Sequence, residues 1–406
     1  MRAESQSVGS GLAFLATDAA AWVVYAFVQS LPSILFPVFK QEFSLSYAEL
    51  GLLVTVFVGV YALVEVPSGL LADRIGRKEV LVIGLLTSSL GNGATFLAAT
   101  YLQILALRAV SGLGLGMLFA SSMALLSEYF PDERRGKAIG VLGLGISGGF
   151  LAAPLAVGTL LSAFGWRNMF LAVGLLTVPL AVLLYATVHE PRSVRRMGGE
   201  RQSYSSIRES LTKPILLLTC INLLSGIAIT GLGNFTTTYI VQATALSVSS
   251  ASLLYSVFPV GGVVTTLVWG LATDRYDRWK LMFLGTLSTA ALLVALVASS
   301  SPAVLLPVLL ARGLVSNASG IALYAVFASF SSQRTMATSF ALLDLFGNLG
   351  MAISPLLAGA VADSVGLTPV FVIIPTVVGG LALALYVPVR RCMRELAASQ
   401  ARASAA

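Results

Sequence analysis

GLLADRIGRK, the segment from Gly69 to Lys78, lies between two long apolar runs, and a weaker copy of it returns later in the chain. The copy, GLATDRYDRW, runs from Gly270 to Trp279, so the two segments are offset by 201 residues. A short charged turn between two segments of membrane length lies at the membrane surface, because charged side chains are costly inside a bilayer. Two such turns at equivalent places predict a duplicated membrane unit, an organisation typical of secondary transporters.

The composition excludes an ordinary soluble protein. Of the 406 residues, 57% are apolar and 11% are charged, whereas soluble domains carry about 25% charged residues. The net charge of +7 does not predict nucleic-acid binding, since the basic residues punctuate apolar runs. Two cysteines and one histidine predict neither a disulfide framework nor a metal site. We expect no cofactor and, in the absence of a nucleotide-binding loop or another catalytic motif, no enzyme.

Twelve apolar segments have the length of about 20 residues that a membrane helix needs. One polar segment with six Lys or Arg residues separates the sixth from the seventh. We therefore predict an all-α membrane protein with an N-terminal six-helix bundle (1–190), a linker (191–213) and a C-terminal six-helix bundle with a short basic tail (214–406). The predicted spans are roughly 12–38, 48–71, 79–99, 101–128, 137–162, 166–189, 214–240, 248–273, 280–299, 302–330, 336–361 and 367–389.

The distribution of basic residues predicts the orientation of the chain. Of the 25 Lys and Arg residues, 21 lie in the termini and in the loops after even-numbered spans. Only Lys40 and Arg167 follow odd-numbered spans, and two arginines lie inside spans. Because positively charged loops stay in the cytoplasm, we expect both termini, the linker and both charged turns to be cytoplasmic, in a protein of the plasma membrane.

GLLADRIGRK resembles the cytoplasmic loop 2–3 motif of the major facilitator superfamily over its whole length. The segments Leu107–Gly112 in span 4 and Phe164–Arg167 after span 5 resemble other motifs of this family, as does the division into six plus six spans. The second turn departs from the motif, since Asp277 and Trp279 replace a glycine and a basic residue. The resemblance implies two pseudo-symmetric six-helix bundles that rock about a substrate site between them, giving alternating access.

The resemblance also implies a cytoplasmic gate at the charged turns. In the outward-open state Asp73 is expected to cap the inner end of span 11, with a cluster of charges around it. The alternative is that these charges only set the orientation of the chain in the membrane, because surface ion pairs contribute little to stability. The predicted gate residues are Gly69, Asp73, Arg74, Gly76, Arg77, Glu65, Glu128, Arg135, Asp274 and Arg275.

Four charged residues inside predicted spans are candidates for coupling, because intramembrane charges are usually functional. Arg312 and Asp344 both lie near the midplane by the helical rise of about 1.5 Å per residue. We expect Asp344 to carry a proton and Arg312 to pair with it or to bind an anionic substrate; the alternative is a static ion pair. The family resemblance links Arg108 to proton transfer, whereas snorkelling to the headgroups is the alternative. Asp18 either takes part in coupling or faces water at a helix end.

Uncharged polar residues predict a lining for the transport pathway. Tyr25 and Gln29 are four residues apart in span 1, so they share one helix face. Asn234, Asn317 and Asn348 lie in spans 7, 10 and 11. For any single one of these residues, hydrogen bonding between helices is the favoured interpretation.

The sequence therefore predicts a proton-coupled secondary transporter, a symporter or an antiporter, for a small organic solute. Two intramembrane arginines favour an organic anion or another polar metabolite. An exporter of drugs and other amphipathic compounds is the alternative within this class, and a transporter-like receptor or sensor is the alternative from another class. The expected partners are the substrate, protons and the lipid bilayer, with no nucleic acid, and we expect a monomer to be functional.

Overall fold

The structure is a computed structural model that describes residues 2–188, 213–330 and 336–405. The predicted linker, 191–213, lies outside these residues except for its last position. The described residues form helices and contain no β-strand. The α-helices are Arg2–Ile34 (α1), Phe36–Glu42 (α2), Tyr47–Ile75 (α3), Arg77–Ala94 (α4), Tyr101–Tyr129 (α5), Asp132–Thr187 (α6), Lys213–Ser225 (α7), Thr236–Thr244 (α8), Val248–Tyr255 (α9), Val257–Arg275 (α10), Arg278–Leu296 (α11), Pro302–Val315 (α12), Ala318–Phe330 (α13), Met336–Val365 (α14) and Leu367–Ala405 (α15).

Eleven stretches within the described residues are long and apolar enough to cross a membrane, and the fifth of them is 54 residues long. Gly165 breaks that stretch with a φ of 69°, a left-handed conformation that favours glycine. Two spans therefore meet at Gly165, and the prediction of twelve membrane helices is confirmed. Numbered in chain order, spans 1–12 are Gly11–Ile34, Tyr47–Ile75, Arg77–Leu97, Tyr101–Tyr129, 134–164, 166–187, Ile215–Thr244, Val248–Thr265, Arg278–Leu296, Pro302–Ala328, Leu342–Val365 and Leu367–Cys392.

Spans 2 and 4 begin with the same capping arrangement. The Ser46 hydroxyl accepts a hydrogen bond from the backbone N–H of Glu49, and the Glu49 carboxylate accepts one from the backbone N–H of Ser46. Thr100 and Gln103 repeat this exchange at the start of span 4. Such a capping box satisfies N–H groups that the first helical turn leaves without partners, so the sequence itself sets where both spans begin.

The first compact unit comprises residues Met1–Arg201 and Asn234–Pro259. Within it, span 1 packs against span 5, and span 4 packs against spans 2 and 3. Glycine allows the closest of these approaches: a Cβ atom on Gly112 would overlap the carbonyl oxygen of Phe57, so the backbones of spans 2 and 4 nearly touch. Small residues at such positions are the usual device of helix packing in membranes.

The second compact unit comprises Gln202–Gly233 and Val260–Ala406. Its apolar core is built around Ile215, Met282, Leu323 and Phe327, from spans 7, 9 and 10. The sequence predicts each span of this half as one continuous helix. In the structure, span 7 leaves α-helical geometry at Gly226–Thr230, which forms a π-helical turn. A 3-10 segment, Gly231–Phe235, follows it.

Span 11 contacts span 7 at this interruption. The Ser354 hydroxyl donates a hydrogen bond of 2.6 Å to the carbonyl oxygen of Ile227, so a side chain of span 11 is bonded to the backbone of the irregular segment. A Cβ atom on Gly231 would overlap the Ser354 side chain. Only glycine therefore fits at this crossing, and irregular backbone of this kind is common at functional sites of membrane helices.

Candidate functional site

The first charged turn is built around Gly76. This residue ends span 2 and begins span 3 with a φ of 116°, which other residues adopt only with strain. The sharp turn places Arg77 next to two acids, Asp73 at 3.7 Å and Glu128 at the end of span 4. Arg135 lies nearby and donates to the carbonyl oxygen of Ser127 at 3.3 Å.

The structure thus brings together the side chains of three predicted gate residues, Asp73, Arg77 and Glu128. Asp73 and Arg74 are exposed, whereas Glu65 and Gly69 are partly buried on span 2. Span 2 is tied to span 4 at this level by Ser68, whose hydroxyl donates to the carbonyl oxygen of Gly116 at 3.1 Å. The role of these residues in gating stays a prediction.

The second charged turn uses different residues. Asp277 caps span 9, because its carboxylate accepts hydrogen bonds from the backbone N–H groups of Trp279 at 2.9 Å and Lys280 at 3.3 Å. The other carboxylate oxygen of Asp277 pairs with Arg390 at 2.6 Å. The predicted gate residues Asp274 and Arg275 are both exposed. Asp277, one of the two residues that depart from the family motif, therefore organises this turn.

Asp18 in span 1 is buried in the first unit, with no exposed surface. Its Oδ2 accepts a hydrogen bond of 2.6 Å from the Ser122 hydroxyl, and that hydroxyl accepts one of 2.9 Å from the Trp22 indole N–H. Its Oδ1 has no hydrogen-bond partner among the described residues. The side chain does not face water at a helix end, so the alternative interpretation of Asp18 does not describe this structure.

Arg108 in span 4 is also fully buried in the first unit. One terminal nitrogen donates to the carbonyl oxygen of Val28 in span 1 at 3.1 Å, and the guanidinium lies 3.9 Å above the ring centre of Phe57 in span 2. The Nε and the other terminal nitrogen have no hydrogen-bond partner in the described part of the chain. With no exposed surface, the side chain does not snorkel. About 21 Å of helix separates it from Ser122, so Arg108 and Asp18 are separate sites.

Aromatic rings from spans 1, 2 and 4 surround the predicted site residue Tyr25. Its ring centre lies 5.1 Å from that of Trp22 and 6.0 Å from that of Tyr61. Phe119 completes the group at 5.5 Å from Trp22. We call these four residues the aromatic cluster. Gln29, one turn further along span 1, is partly buried. Of these four rings only Tyr25 was predicted from the sequence, although Trp22 and Tyr25 share a helix face.

Arg312 in span 10 is almost completely buried in the second unit. It lies beside the irregular segment of span 7, since a Cβ atom on Gly233 would be 3.4 Å from a terminal guanidinium nitrogen. Asn317, further along span 10, donates to the carbonyl oxygen of Gly262 in span 8 at 3.2 Å. Asn234 is partly buried and belongs to the first unit.

Asp344 in span 11 accepts a hydrogen bond from the hydroxyl of Tyr324 in span 10. The Tyr324 ring stacks on Phe340 with 6.0 Å between ring centres. Asn348 is partly buried one helical turn beyond Asp344. The structure therefore gives Asp344 a tyrosine partner, and its ion pair with Arg312 stays a prediction.

The sequence model of the Major Facilitator Superfamily matches residues 19–243 and 218–403, which together cover most of the chain. The chain belongs to the Major Facilitator Superfamily. It is therefore an integral membrane transport protein and not an enzyme, as the sequence predicted. A solved structure with the same fold is that of a bacterial homologue of the human lysosomal transporter Spinster in an inward-facing, unoccupied conformation, with a TM-score of 0.79, 20% identity and coverage of 95% of this chain and 97% of that one.

Three relatives are themselves named as transport proteins. The cis,cis-muconate transport protein of Acinetobacter baylyi is 35% identical over 152 residues, a match that spans only 37% of each chain. The hexuronate transporter of Bacillus subtilis is 27% identical over 83% of this chain and 85% of its own length. A homologue of a multidrug resistance efflux pump in Lactococcus lactis is 26% identical over 72% of this chain and 73% of its own length.

Proposed function

We propose that this protein is a secondary active transporter of small organic anions that works by alternating access. The observation that carries the proposal is Arg108, a guanidinium buried in the first unit with two nitrogens that have no hydrogen-bond partner among the described residues. A buried cation with unsatisfied N–H groups is unfavourable by itself. A carboxylate supplies both the missing charge and the missing acceptors.

The surroundings of Arg108 favour a bound carboxylate. The Val28 carbonyl and the Phe57 ring hold the guanidinium from two sides, so its orientation is fixed before an anion arrives. Arginine and carboxylate form two parallel hydrogen bonds, and such charged bonds are stronger than neutral ones. Fixed donors in a dry environment bind an anion without reorganisation.

The body of the proposed substrate is organic and partly apolar. The aromatic cluster lies on the same three spans as Arg108 and its two contacts, and flat rings of this kind stack on planar organic groups. The relatives support this substrate class, because muconate and hexuronate both carry carboxylates. We therefore favour a carboxylic acid that has a flat or ring-shaped body.

Protons are the proposed coupling ion, and Asp18 and Asp344 are the proposed carriers. Each carboxylate is bonded to a hydroxyl, from Ser122 and Tyr324 respectively. A hydroxyl both donates and accepts, so it keeps a hydrogen bond when the carboxylate gains a proton. The orientation with cytoplasmic termini and the plasma-membrane location rest on the distribution of basic residues.

Drug export is the second candidate function. The observation that favours it is the similarity to the multidrug efflux pump homologue, which covers 72% of this chain. A cationic drug makes no use of Arg108, since like charges repel. The two functions therefore predict opposite responses to the same substitution.

The test measures uptake into proteoliposomes of labelled muconate, 4-hydroxybenzoate and a hexuronate, with their neutral amides as controls. We expect Arg108→Gln to lower anion uptake at low concentration about 10- to 100-fold, the effect of losing charged hydrogen bonds worth about 1.5–3 kcal/mol. Arg108→Lys should retain part of the uptake because it keeps the charge. Arg134→Gln removes an exposed arginine and should leave uptake unchanged.

The result that would overturn the proposal is anion uptake by Arg108→Gln at the wild-type rate, with the protein still monodisperse. Uptake of cationic drugs that increases in this variant would favour the exporter instead.

A further inference from the structure

A groove lies between the start of span 9 and the end of span 12, both in the second unit. Its cavity has a volume of about 280 Å³, and its lining includes Trp279, Lys280, Phe283, Tyr386, Val387 and Arg390. None of these residues belongs to the predicted transport site. The groove is a separate feature that the proposed function does not explain.

The deeper part of the groove is apolar and ordered. Tyr386 is 5% exposed, and its hydroxyl forms a hydrogen bond of 2.8 Å with Thr286. The Phe283 ring packs edge-to-face on Tyr386 with 5.6 Å between ring centres. Val387 is 55% exposed on the outer surface of span 12. The groove therefore opens sideways, on a surface of membrane spans that acyl chains cover.

The rim of the groove is basic. Arg390 pairs with Asp277, whereas no hydrogen bond or ion pair of the Lys280 ammonium group is found within the described residues. Trp279 lies in the first turn of span 9, at the level where tryptophan is enriched in membrane proteins, the boundary between acyl chains and headgroups. A cation at this level faces lipid headgroups.

The equivalent place in the first half is built differently. At the offset of 201 residues, Lys280 corresponds to Glu79 and Tyr386 corresponds to Tyr185. In the first half, Lys78 lies over the Tyr185 ring at 3.9 Å from its centre. The first half thus covers its tyrosine with its own lysine and has an acid where the second half has a base. Among the described residues, the second half thus combines an open groove with a cation, Lys280, that has no acid partner.

We propose that this groove binds an anionic glycerophospholipid. Its phosphate lies between Lys280 and Arg390, and one acyl chain follows Phe283 and Val387. Basic pockets between membrane helices recognise anionic headgroups in this way. A zwitterionic lipid should bind less tightly, because the basic rim repels the cationic group of its headgroup.

The test uses the fluorescence of Trp279, which reports on lipid in the groove directly. The protein is reconstituted into phosphatidylcholine vesicles that contain increasing fractions of dibrominated phosphatidylglycerol or dibrominated phosphatidylcholine. Bromine quenches tryptophan at contact. Because the chain has four tryptophans, the signal of Trp279 is the difference between the wild type and Trp279→Phe.

We expect wild-type Trp279 to prefer phosphatidylglycerol about fivefold or more, the factor that one basic residue gives at an anionic surface. Lys280→Gln should remove most of this preference, and Lys280→Glu, which installs the first-half residue, should abolish it. The matched control is Arg391→Gln, which removes an exposed cation outside the lining and should keep the preference.

A second pair of variants tests the apolar part of the groove. Val387→Phe fills it and should reduce quenching by both lipids, whereas Leu381→Phe, on an equally exposed position of span 12, should not. Equal quenching by the two lipids in the wild type, or an unchanged preference in Lys280→Glu, would overturn the proposal.

Discussion

The two charged turns occupy equivalent places in the two halves, but they are built by different means. Gly76 and Asp277 correspond at the offset of 201 residues. Gly76 makes its turn with a φ of 116°, which requires no side chain. Asp277 keeps an ordinary φ of −59° and uses its carboxylate to cap the next helix. The same position of the repeat can therefore form a turn either through a glycine with positive φ or through a side chain that caps the next helix.

The arginines after these residues continue the contrast. Arg77 pairs with the carboxylate of Glu128 in span 4. Its counterpart, Arg278, donates to the backbone carbonyl oxygen of Ala325 in span 10 at 3.3 Å and to that of Thr273 at 3.1 Å. Both arginines thus reach the equivalent span, but only the first contact depends on an opposite charge.

The largest effect on stability is expected from Gly76→Ala. The substitution forces alanine into the left-handed region and should lower the free energy of unfolding by about 1–3 kcal/mol, measured as a lower apparent unfolding temperature in detergent. The control is Gly140→Ala in span 5, where an added methyl group meets nothing within 4 Å and should be neutral or stabilising. If Gly76→Ala unfolds at the wild-type temperature, the turn does not depend on glycine.

The next largest loss of stability is expected when Arg77 is replaced by glutamine, and a smaller loss when Arg278 is replaced. Arg77→Gln leaves Glu128, whose side chain is 14% exposed, without its cation, and should cost about 1–2 kcal/mol. Arg278→Gln should cost less than about 1 kcal/mol, because water can reach the exposed contact.

The double substitution Arg77→Gln with Glu128→Gln tests whether the charge of Glu128 causes the loss of stability. Removing both charges should recover part of the loss, because the two residues are in contact and their effects are coupled. Strictly additive effects of the two single substitutions would show that the ion pair does not contribute.

The smallest effect is expected at the cap of span 9. Asp277→Ala should cost about 1 kcal/mol through the lost cap, and the exposed pair with Arg390 should add little. Asp277→Asn keeps an oxygen that accepts from the same N–H groups, so it should stay within a few tenths of a kcal/mol of the wild type. Equal losses in Asn and Ala variants would mean that the ion pair, and not the cap, stabilises the turn.

The fold was largely predictable because its signals are local. The length of apolar segments and the charged turns between them suffice to count spans, and Gly165 lies in a motif typical of a turn. The irregular segment of span 7 was not predictable. Its glycines lie in an apolar run that is typical of continuous helix, and the residue that contacts it, Ser354, is 127 residues away from Ile227 in the chain.

The candidate site was predictable only in part. Buried charges stand out in apolar runs, so Asp18, Arg108 and Arg312 could be singled out. Their partners could not, because Ser122 lies 104 residues from Asp18 and Val28 lies 80 residues from Arg108. Contacts between spans depend on helix rotation, which a uniformly apolar sequence leaves undetermined.

Substrate-induced proton movement distinguishes proton-coupled anion transport from drug export. Proteoliposomes that contain a pH-sensitive dye are given muconate or its neutral diamide, and protein-free vesicles correct for leakage. We predict acidification of the lumen with muconate, none with the diamide, and a much weaker response in Arg108→Gln. Proton efflux driven by cationic drugs, with no response to any carboxylate, would contradict proton-coupled anion transport.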